Sequence, residues 1–203
     1  VEIETMILHA KTVKNFTRKS LVVFDMPYKT YSNKFIAYKN AKKVMRLTKC
    51  DAIKLEGGKK IAHIIKYLTK KGIPVMGHIG LLPQSSTNFK LRGKNSIQKK
   101  QILEDAMVLS NSGVFAIVIE CVVESLAKKI TNSVSVPTIG IGASKYCDGQ
   151  VLVIDDMIGL SDFRPRFVKR YSKVRKIIEK SVKNYCIDVK NRRFPTSHNV
   201  YKF

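Results

Sequence analysis

Long hydrophobic runs are missing from this chain of 203 residues. A helix that crosses a membrane needs about 20 consecutive, predominantly apolar residues, and no such stretch occurs. The N-terminal residues also lack a basic segment followed by an apolar one, which is the pattern of a secretory signal peptide. The sequence therefore predicts a soluble, cytoplasmic protein without a membrane partner.

Cysteine is scarce, and its spacing excludes two kinds of stabilising framework. None of the four cysteines stands in a CxxC pair, so a zinc site is not indicated. The chain is also much larger than the secreted domains that disulfides hold together. We expect four reduced thiols, which are Cys50, Cys121, Cys147 and Cys186.

Acidic residues are few: 15 Asp and Glu stand against 38 Lys and Arg, which gives a formal charge of +23. A clustered positive charge favours phosphate-bearing partners. Here most basic residues are lysines spread over the predicted helices, in pairs such as Lys42-Lys43 and Lys128-Lys129. No known nucleic-acid-binding module accompanies them. Solvated helix faces explain the pattern better, so we expect no nucleic-acid partner.

Short apolar runs, in contrast, recur along the chain. They are rich in β-branched residues, and helix-like segments separate most of them. This alternation predicts parallel strands that are covered by helices. The six predicted strands are residues 21–25, 52–56, 75–78, 116–120, 138–142 and 151–155.

The predicted fold class is α/β: a (βα)8 barrel of the TIM type, incomplete, with about six of its eight strands. One domain is expected over residues 1–203, because a chain of this length with 44% hydrophobic residues buries a single core. Residues 3–17 have helical spacing, so we expect the two missing strand–helix units to belong before them. The polar residues 81–96 predict an active-site loop, and residues 167–203 a C-terminal helix and tail.

Charged and polar side chains stand at the downstream ends of four predicted strands, where a barrel of this type places its chemistry. Asp25 and Glu56 supply the hard oxygen ligands that Mg²⁺ prefers, although a helix cap or a salt bridge would also explain each of them. Lys54 shares a strand face with Glu56, so it either neutralises that carboxylate or binds an anionic substrate.

Glu120 ends the most apolar strand, and apolar surroundings raise a carboxyl pKa toward values useful to a general base. The alternative is that Glu120 pairs with a nearby lysine. His78 is expected either to donate a hydrogen bond to a substrate or to satisfy a buried backbone carbonyl. The candidate site thus consists of Asp25, Lys54, Glu56, His78 and Glu120.

Several longer motifs, taken together, resemble the ketopantoate hydroxymethyltransferase family. Their order and spacing match the family over essentially the whole chain. The motifs are Asp25-Met26-Pro27-Tyr28, Ile53-Lys54-Leu55-Glu56-Gly57-Gly58, Gly77-His78-Ile79-Gly80-Leu81-Leu82-Pro83-Gln84-Ser85, Ile119-Glu120-Cys121-Val122 and Pro137-Thr138-Ile139-Gly140-Ile141-Gly142-Ala143.

The resemblance implies transfer of a hydroxymethyl group from 5,10-methylenetetrahydrofolate to 3-methyl-2-oxobutanoate. The product, 2-dehydropantoate, lies on the route to pantothenate and coenzyme A. It also implies Mg²⁺ held by Asp25 and Glu56, substrate contacts from Asp25 and Lys54, and Glu120 as the proton acceptor. A homo-oligomer is implied as well.

Two alternatives stay open at this point. The family has a Gly-Asp-Ser motif that adds a metal ligand, and this sequence does not contain that motif. The first alternative is therefore a truncated, non-catalytic remnant of the enzyme. The second is a related Mg²⁺-dependent, enolate-forming lyase or mutase on the same barrel. The run Gly77 to Ser85 disfavours it, because that run resembles the hydroxymethyltransferase family.

Overall fold

A computed structural model describes residues 1–86 and 90–202, and these residues form two compact units. The first unit spans Val1–Val151 and the second spans Leu152–Phe203. The predicted 81–96 loop lies partly outside the described residues. That loop and the single domain stay predictions.

The first unit is built around a sheet of six parallel strands in the order in which they occur in the chain. Consecutive order with all strands parallel is the arrangement of a (βα) barrel. The strands are β1 Val23–Asp25, β2 Ala52–Glu56, β3 Val75–Gly80, β4 Ala116–Glu120, β5 Thr138–Ile141 and β6 Gly149–Gln150.

In the described part of this unit, five helices precede or connect the strands, in the strand–helix alternation that the sequence predicts. A short 3-10 turn, Lys59–Ile61, leads into the third of these helices. The helices are α1 Ile3–Phe16, α2 Lys34–Thr48, α3 Ala62–Lys70, α4 Ser96–Asn111 and α5 Glu124–Thr131.

Asparagine side chains fix the start of two helices. Asn33 Oδ1 accepts hydrogen bonds from the backbone N–H groups of Phe35 and Ile36, each at 3.0 Å, at the start of α2. Asn95 Oδ1 accepts one from Gln98 N at 2.9 Å at the start of α4. Each bond satisfies an N–H group that has no partner within the helix.

The core lies between the sheet and its helices. In β2, Ile53 and Leu55 are fully buried, and they alternate with Lys54 and Glu56. Since successive side chains of a strand point to opposite faces, the apolar pair packs into the helix-facing core. The same alternation turns the charged pair to the other face of the sheet.

The prediction of a strand at residues 151–155 is wrong. The sixth strand is Gly149–Gln150, and Ile154 already begins a short helix, α6 Ile154–Met157. Pairing starts early because Asp148 accepts hydrogen bonds from Thr138 N and Oγ1, at 2.8 and 2.9 Å, and so fixes the chain beside β5. The β-branched run itself stays exposed, with Val151, Val153 and Ile154 about half accessible.

The second unit holds α6 and a long helix, α7 Val174–Lys190. This helix begins seven residues later than the predicted start at residue 167. The backbone explains the difference, because Tyr171 N–H donates to Met157 O at 2.8 Å and Val174 N–H to Ile158 O at 3.1 Å. The acceptors are the last residue of α6 and the residue that follows it, so these bonds replace helical bonds.

Within the described residues, no helix is both long enough and apolar enough to cross a membrane.

Candidate active site

The C-terminal ends of four neighbouring strands bring all five predicted site residues together. Asp25 ends β1, Lys54 and Glu56 lie on β2, His78 lies on β3, and Glu120 ends β4. In the register of the sheet, Asp25 pairs with Lys54, and Glu56 pairs with His78. Paired residues of parallel strands point to the same face, so these side chains meet at one edge of the sheet. We call these five residues the charge row.

Acidic and basic groups alternate along the charge row. Lys54 Nζ lies 2.7 Å from Asp25 Oδ1 and 3.6 Å from Glu56 Oε1. His78 Nδ1 lies 3.5 Å from Glu56 Oε1, and its Nε2 lies 3.3 Å from Glu120 Oε2. Each basic group is therefore placed between two carboxylates, which offsets part of the cost of burying it.

Glu56 and His78, in the middle of the charge row, are deeply buried. For each of them, the neighbouring charges together outweigh the effect of burial on the pKa. Burial favours the neutral acid and raises the pKa of Glu56, but His78 and Lys54 outweigh it and hold that pKa below its usual value. Burial lowers the pKa of His78, but Glu120 and Glu56 outweigh it and raise that pKa. Glu56 therefore stays ionised to a lower pH than usual, and His78 stays positively charged to a higher pH than usual.

The structure shows the partners of Glu120, His78 and Asp25, for each of which the sequence left two roles open. Glu120 Oε2 lies 3.3 Å from His78 Nε2, and Glu120 forms no salt bridge with a lysine among residues 1–86 and 90–202. His78 is 1% exposed, and neither of its nitrogens has a hydrogen-bond partner among the described residues, so it does not satisfy a described backbone carbonyl. Asp25 is in a salt bridge with Lys54. The chemical roles assigned to the five residues stay predictions.

Gln84 and Tyr31 also belong to the site, although sequence patterns assign them no role. Gln84 Nε2 donates to Asp25 Oδ1 at 3.1 Å, and Gln84 N donates to Glu56 Oε2 at 3.1 Å. The Tyr31 hydroxyl donates to Gln84 Oε1 at 3.1 Å. Burial, with the charges of Glu56 and Asp25, raises the pKa of Tyr31 to about 12, so the hydroxyl keeps its proton. The one available signal was the position of Gln84 in the Leu-Pro-Gln-Ser run.

A glycine permits the close approach of two strand ends at the site. Gly80 has φ of +93°, and a Cβ atom there would lie 2.3 Å from Glu120 O. The next residue, Leu81, donates its N–H to that same carbonyl at 2.8 Å. The missing side chain therefore lets the end of β3 bond directly to Glu120.

A cavity of about 570 Å³ opens beside Glu56 and Gln84. Its wall combines aromatic and aliphatic side chains with acidic and basic ones, as in sites that bind small organic molecules. They include Tyr28, Tyr31, Ile61, Ile64 and Asp105.

Comparison with known proteins identifies the family. The model of the family described as Ketopantoate hydroxymethyltransferase matches residues 1–197. This chain belongs to that family. The 3-methyl-2-oxobutanoate hydroxymethyltransferase of Pelagibacter ubique (strain HTCC1062) is 56% identical over 201 residues, covering 99% of this chain and 78% of that protein. The protein of the same name from Caulobacter vibrioides (strain NA1000 / CB15N) is 47% identical over 205 residues, covering 99% and 74%.

Solved structures with a similar fold confirm the predicted fold class, an incomplete TIM-type barrel. Phosphonopyruvate hydrolase superposes with a TM-score of 0.55 at 8% identity, covering 100% of this chain and 72% of that chain. A 2,3-dimethylmalate lyase of the PEP mutase/isocitrate lyase superfamily gives 0.51 at 9% identity, covering 97% and 68%. At such low identity the likeness shows the fold alone, so it adds no support to the lyase alternative.

Proposed function

We propose that this chain transfers a hydroxymethyl group from 5,10-methylenetetrahydrofolate to 3-methyl-2-oxobutanoate, giving 2-dehydropantoate for pantothenate and coenzyme A synthesis. The observation that carries the proposal is the charge row, in a chain that belongs to this family. The row places Glu120 at the same edge of the sheet as the carboxylates of Asp25 and Glu56. A base and an anion-stabilising group on one edge are what enolate formation requires.

Proton removal is assigned to Glu120. Its carboxylate takes the proton from C3 of the keto acid, and the resulting carbanion forms a carbon–carbon bond to the methylene carbon carried by the folate. Both bonds from that carbon to folate nitrogens break, and water supplies its hydroxyl group. The second proton of water and the proton from C3 go to the two nitrogens, which leaves tetrahydrofolate. His78, 3.3 Å away, holds the Glu120 carboxylate in place. Lys54 is the cation that binds the carboxylate of the keto acid, because its ammonium group is already at the strand ends beside Asp25.

Asp25 and Glu56 fit the Mg²⁺ that the family implies. They end neighbouring strands and bring two carboxylates to one edge, and Mg²⁺ is usually held by one or two carboxylates, with water and substrate oxygens completing the shell. Among the described residues, no group of three or more His, Cys, Asp and Glu side chains is placed to hold a metal. The described residues would thus supply these two ligands. Bound Mg²⁺ would supply Lewis acidity to the keto acid.

The cavity beside Glu56 is our candidate for the folate co-substrate. Its volume of about 570 Å³ lies within the range of small-molecule sites. Its aromatic residues Tyr28 and Tyr31 suit a flat heteroaromatic ring. As further parts of the proposal, we assign the protein a cytoplasmic location and a homo-oligomeric state. Light scattering tests the oligomeric state.

Exchange of the C3 proton of 3-methyl-2-oxobutanoate in deuterated water tests the proposal, because it isolates proton removal from the later transfer. We expect exchange that requires Mg²⁺ and falls by roughly 100-fold or more in Glu120→Gln. Glu124→Gln, which alters an exposed carboxylate at the start of α5, is the matched control. Proton NMR follows the exchange, and formation of 2-dehydropantoate with added folate tests the complete reaction.

Two results would contradict the proposal. Absence of exchange from folded chain would support the non-catalytic remnant. Exchange followed by cleavage of a carbon–carbon bond in a 2-hydroxy acid, without folate-dependent transfer, would support the lyase.

A further inference from the structure

Gln84 is the point at which the loop after β3 contacts both carboxylates of the proposed metal site. Its side-chain Nε2 donates to Asp25 Oδ1 at 3.1 Å and to Met26 O at 3.0 Å. Its backbone N–H donates to Glu56 Oε2 at 3.1 Å. One residue therefore binds the ends of two neighbouring strands, although it is distant from both in the chain.

The orientation of the Gln84 amide is determined by its partners. Nε2 faces two oxygen acceptors, and Oε1 accepts from the Tyr31 hydroxyl at 3.1 Å. Rotating the amide by half a turn would place its oxygen against Asp25 Oδ1 and Met26 O, so two hydrogen bonds would become repulsive contacts. Tyr31 thus stabilises the orientation in which the amide donates to Asp25.

Asp25 depends on this contact more than Glu56 does. The Asp25 side chain is 43% exposed, and the Glu56 side chain is 5% exposed. Packing therefore restricts Glu56, whereas Asp25 Oδ1 is held by hydrogen bonds from Lys54 and Gln84. Among the described residues, removing the amide leaves Lys54 as the remaining side-chain hydrogen-bond donor to Asp25.

We infer that Gln84, oriented by Tyr31, is a positioning residue that presets the Asp25 carboxylate beside Glu56 for a divalent cation. The inference rests on the proposed function for the identity of the metal ligands. In this inference Gln84 acts through Asp25 and is not itself a metal ligand. Partners that orient metal-binding side chains typically change metal affinity by 10–100-fold when they are removed.

Binding of Mn²⁺ alone, followed by electron paramagnetic resonance with competition by Mg²⁺, tests the inference without turnover. We expect Gln84→Met to weaken binding by roughly 10-fold, since methionine keeps the length of the side chain but cannot donate to Asp25. The backbone N–H remains in this variant, so Glu56 keeps its own bond. Thermal unfolding followed by circular dichroism establishes that each variant is folded.

Gln98→Met is the matched control, because Gln98 also stabilises this part of the chain. Its Oε1 accepts from Gly93 N and Lys94 N, at 3.0 and 3.3 Å, away from the carboxylates. We expect unchanged Mn²⁺ affinity in this variant. An equal loss in Gln98→Met and Gln84→Met would overturn the inference, since it would reflect loss of loop structure in general.

Tyr31→Phe separates orientation of the amide from its presence. We expect weakening in the same direction but smaller than in Gln84→Met, and no further loss when both substitutions are combined. In the proton-exchange assay, the Mg²⁺ concentration for half-maximal rate should rise more than the rate at saturating Mg²⁺ falls. Additive losses in the double variant would contradict the coupling.

The outcomes distinguish this inference from the proposed function. A wild-type chain that binds Mn²⁺ but exchanges no proton overturns the proposed function alone, and weaker binding in Gln84→Met would still support the positioning role. An active wild-type chain with unchanged Mn²⁺ affinity in Gln84→Met overturns the positioning role alone. Failure of the wild-type chain to bind Mn²⁺ overturns both the metal site and the inference.

Discussion

His78 Nε2 lies 3.3 Å from Glu120 Oε2, and this contact joins the proposed base to the rest of the charge row. On the other side, His78 Nδ1 lies 3.5 Å from Glu56 Oε1. One buried imidazole therefore lies within ion-pair distance of the carboxylate assigned to proton removal and of one assigned to the metal. Because His78 is almost inaccessible to solvent, we expect it to act through these two neighbours and not by contact with bulk water.

Replacing His78 with glutamine should slow proton exchange at saturating Mg²⁺ by roughly 10- to 100-fold, because a misplaced base reacts poorly even when substrate is bound. His9→Gln, which alters an exposed histidine of α1, is the control and should leave the rate unchanged. Proton NMR in deuterated water measures both. An unchanged rate in His78→Gln would show that Glu120 does not depend on this contact.

Stability should depend on pH through His78. Its pKa is raised above 6.5 by Glu120 and Glu56, which outweigh burial. The charged imidazole therefore adds stability that is fully present below its unfolded pKa and is lost as the pH rises through the higher folded pKa. The difference in unfolding free energy between wild type and His78→Gln should shrink above a pH of about 6.5. Urea denaturation at several pH values measures it, and a constant difference would contradict the assignment.

Glu56 should limit stability at the acidic end. Its pKa is held below 4.5 because His78 and Lys54 outweigh burial. The ionised carboxylate therefore adds stability that is present above its unfolded pKa and is lost as the pH falls through the lower folded pKa. We expect Glu56→Gln to be less sensitive than wild type to acid below a pH of about 4.5, in thermal unfolding scans. Equal acid sensitivity would show that other carboxylates dominate.

Gly80→Ala should destabilise the protein by about 3 kcal/mol or more, since the new methyl group adds a clash to an unfavourable backbone angle. The clash is with Glu120 O, 2.3 Å from the added Cβ. Gly72→Ala is the control: its φ is +77°, but nothing lies within 4 Å of the added Cβ. We expect a cost of about 1 kcal/mol there. Urea denaturation compares the two, and equal costs would argue against a tight contact at the end of β3.

Asp148→Ala should cost about 1–2 kcal/mol, because it leaves the buried N–H and hydroxyl groups of Thr138 without their acceptor. The same two hydrogen bonds lower the pKa of Asp148. Glu4→Ala removes an exposed ion pair with Lys43 and should change stability little. Thermal unfolding measures both variants. A loss no greater than that of Glu4→Ala would show that Asp148 does not fix β6 beside β5.

Local sequence patterns were sufficient to predict most of the elements and the side chains that gather at the strand ends. The apolar runs at 52–56 and 116–120 are β2 and β4 with the same bounds, because a short run rich in β-branched residues is a local property of the sequence. The polar residues that close the strands were recognisable for the same reason. Parallel strands in a barrel bring such ends to one edge, so Asp25, Lys54 and Glu120 could be grouped from the sequence alone.

Which side chains touch one another depends on the assembled sheet. Register between strands placed His78 between two carboxylates, and neither spacing nor composition encodes that register. The path of the loop after β3 brought Gln84 to Asp25. The sequence gives no sign of this contact, because Gln84 is a neutral side chain in a polar segment. Hydrogen bonds between Thr138 and Asp148 placed β6 ahead of the β-branched run at residues 151–155. The contacts of His78, Gln84 and Asp148 join different strands, or a strand and a loop. They therefore form only once the sheet has assembled.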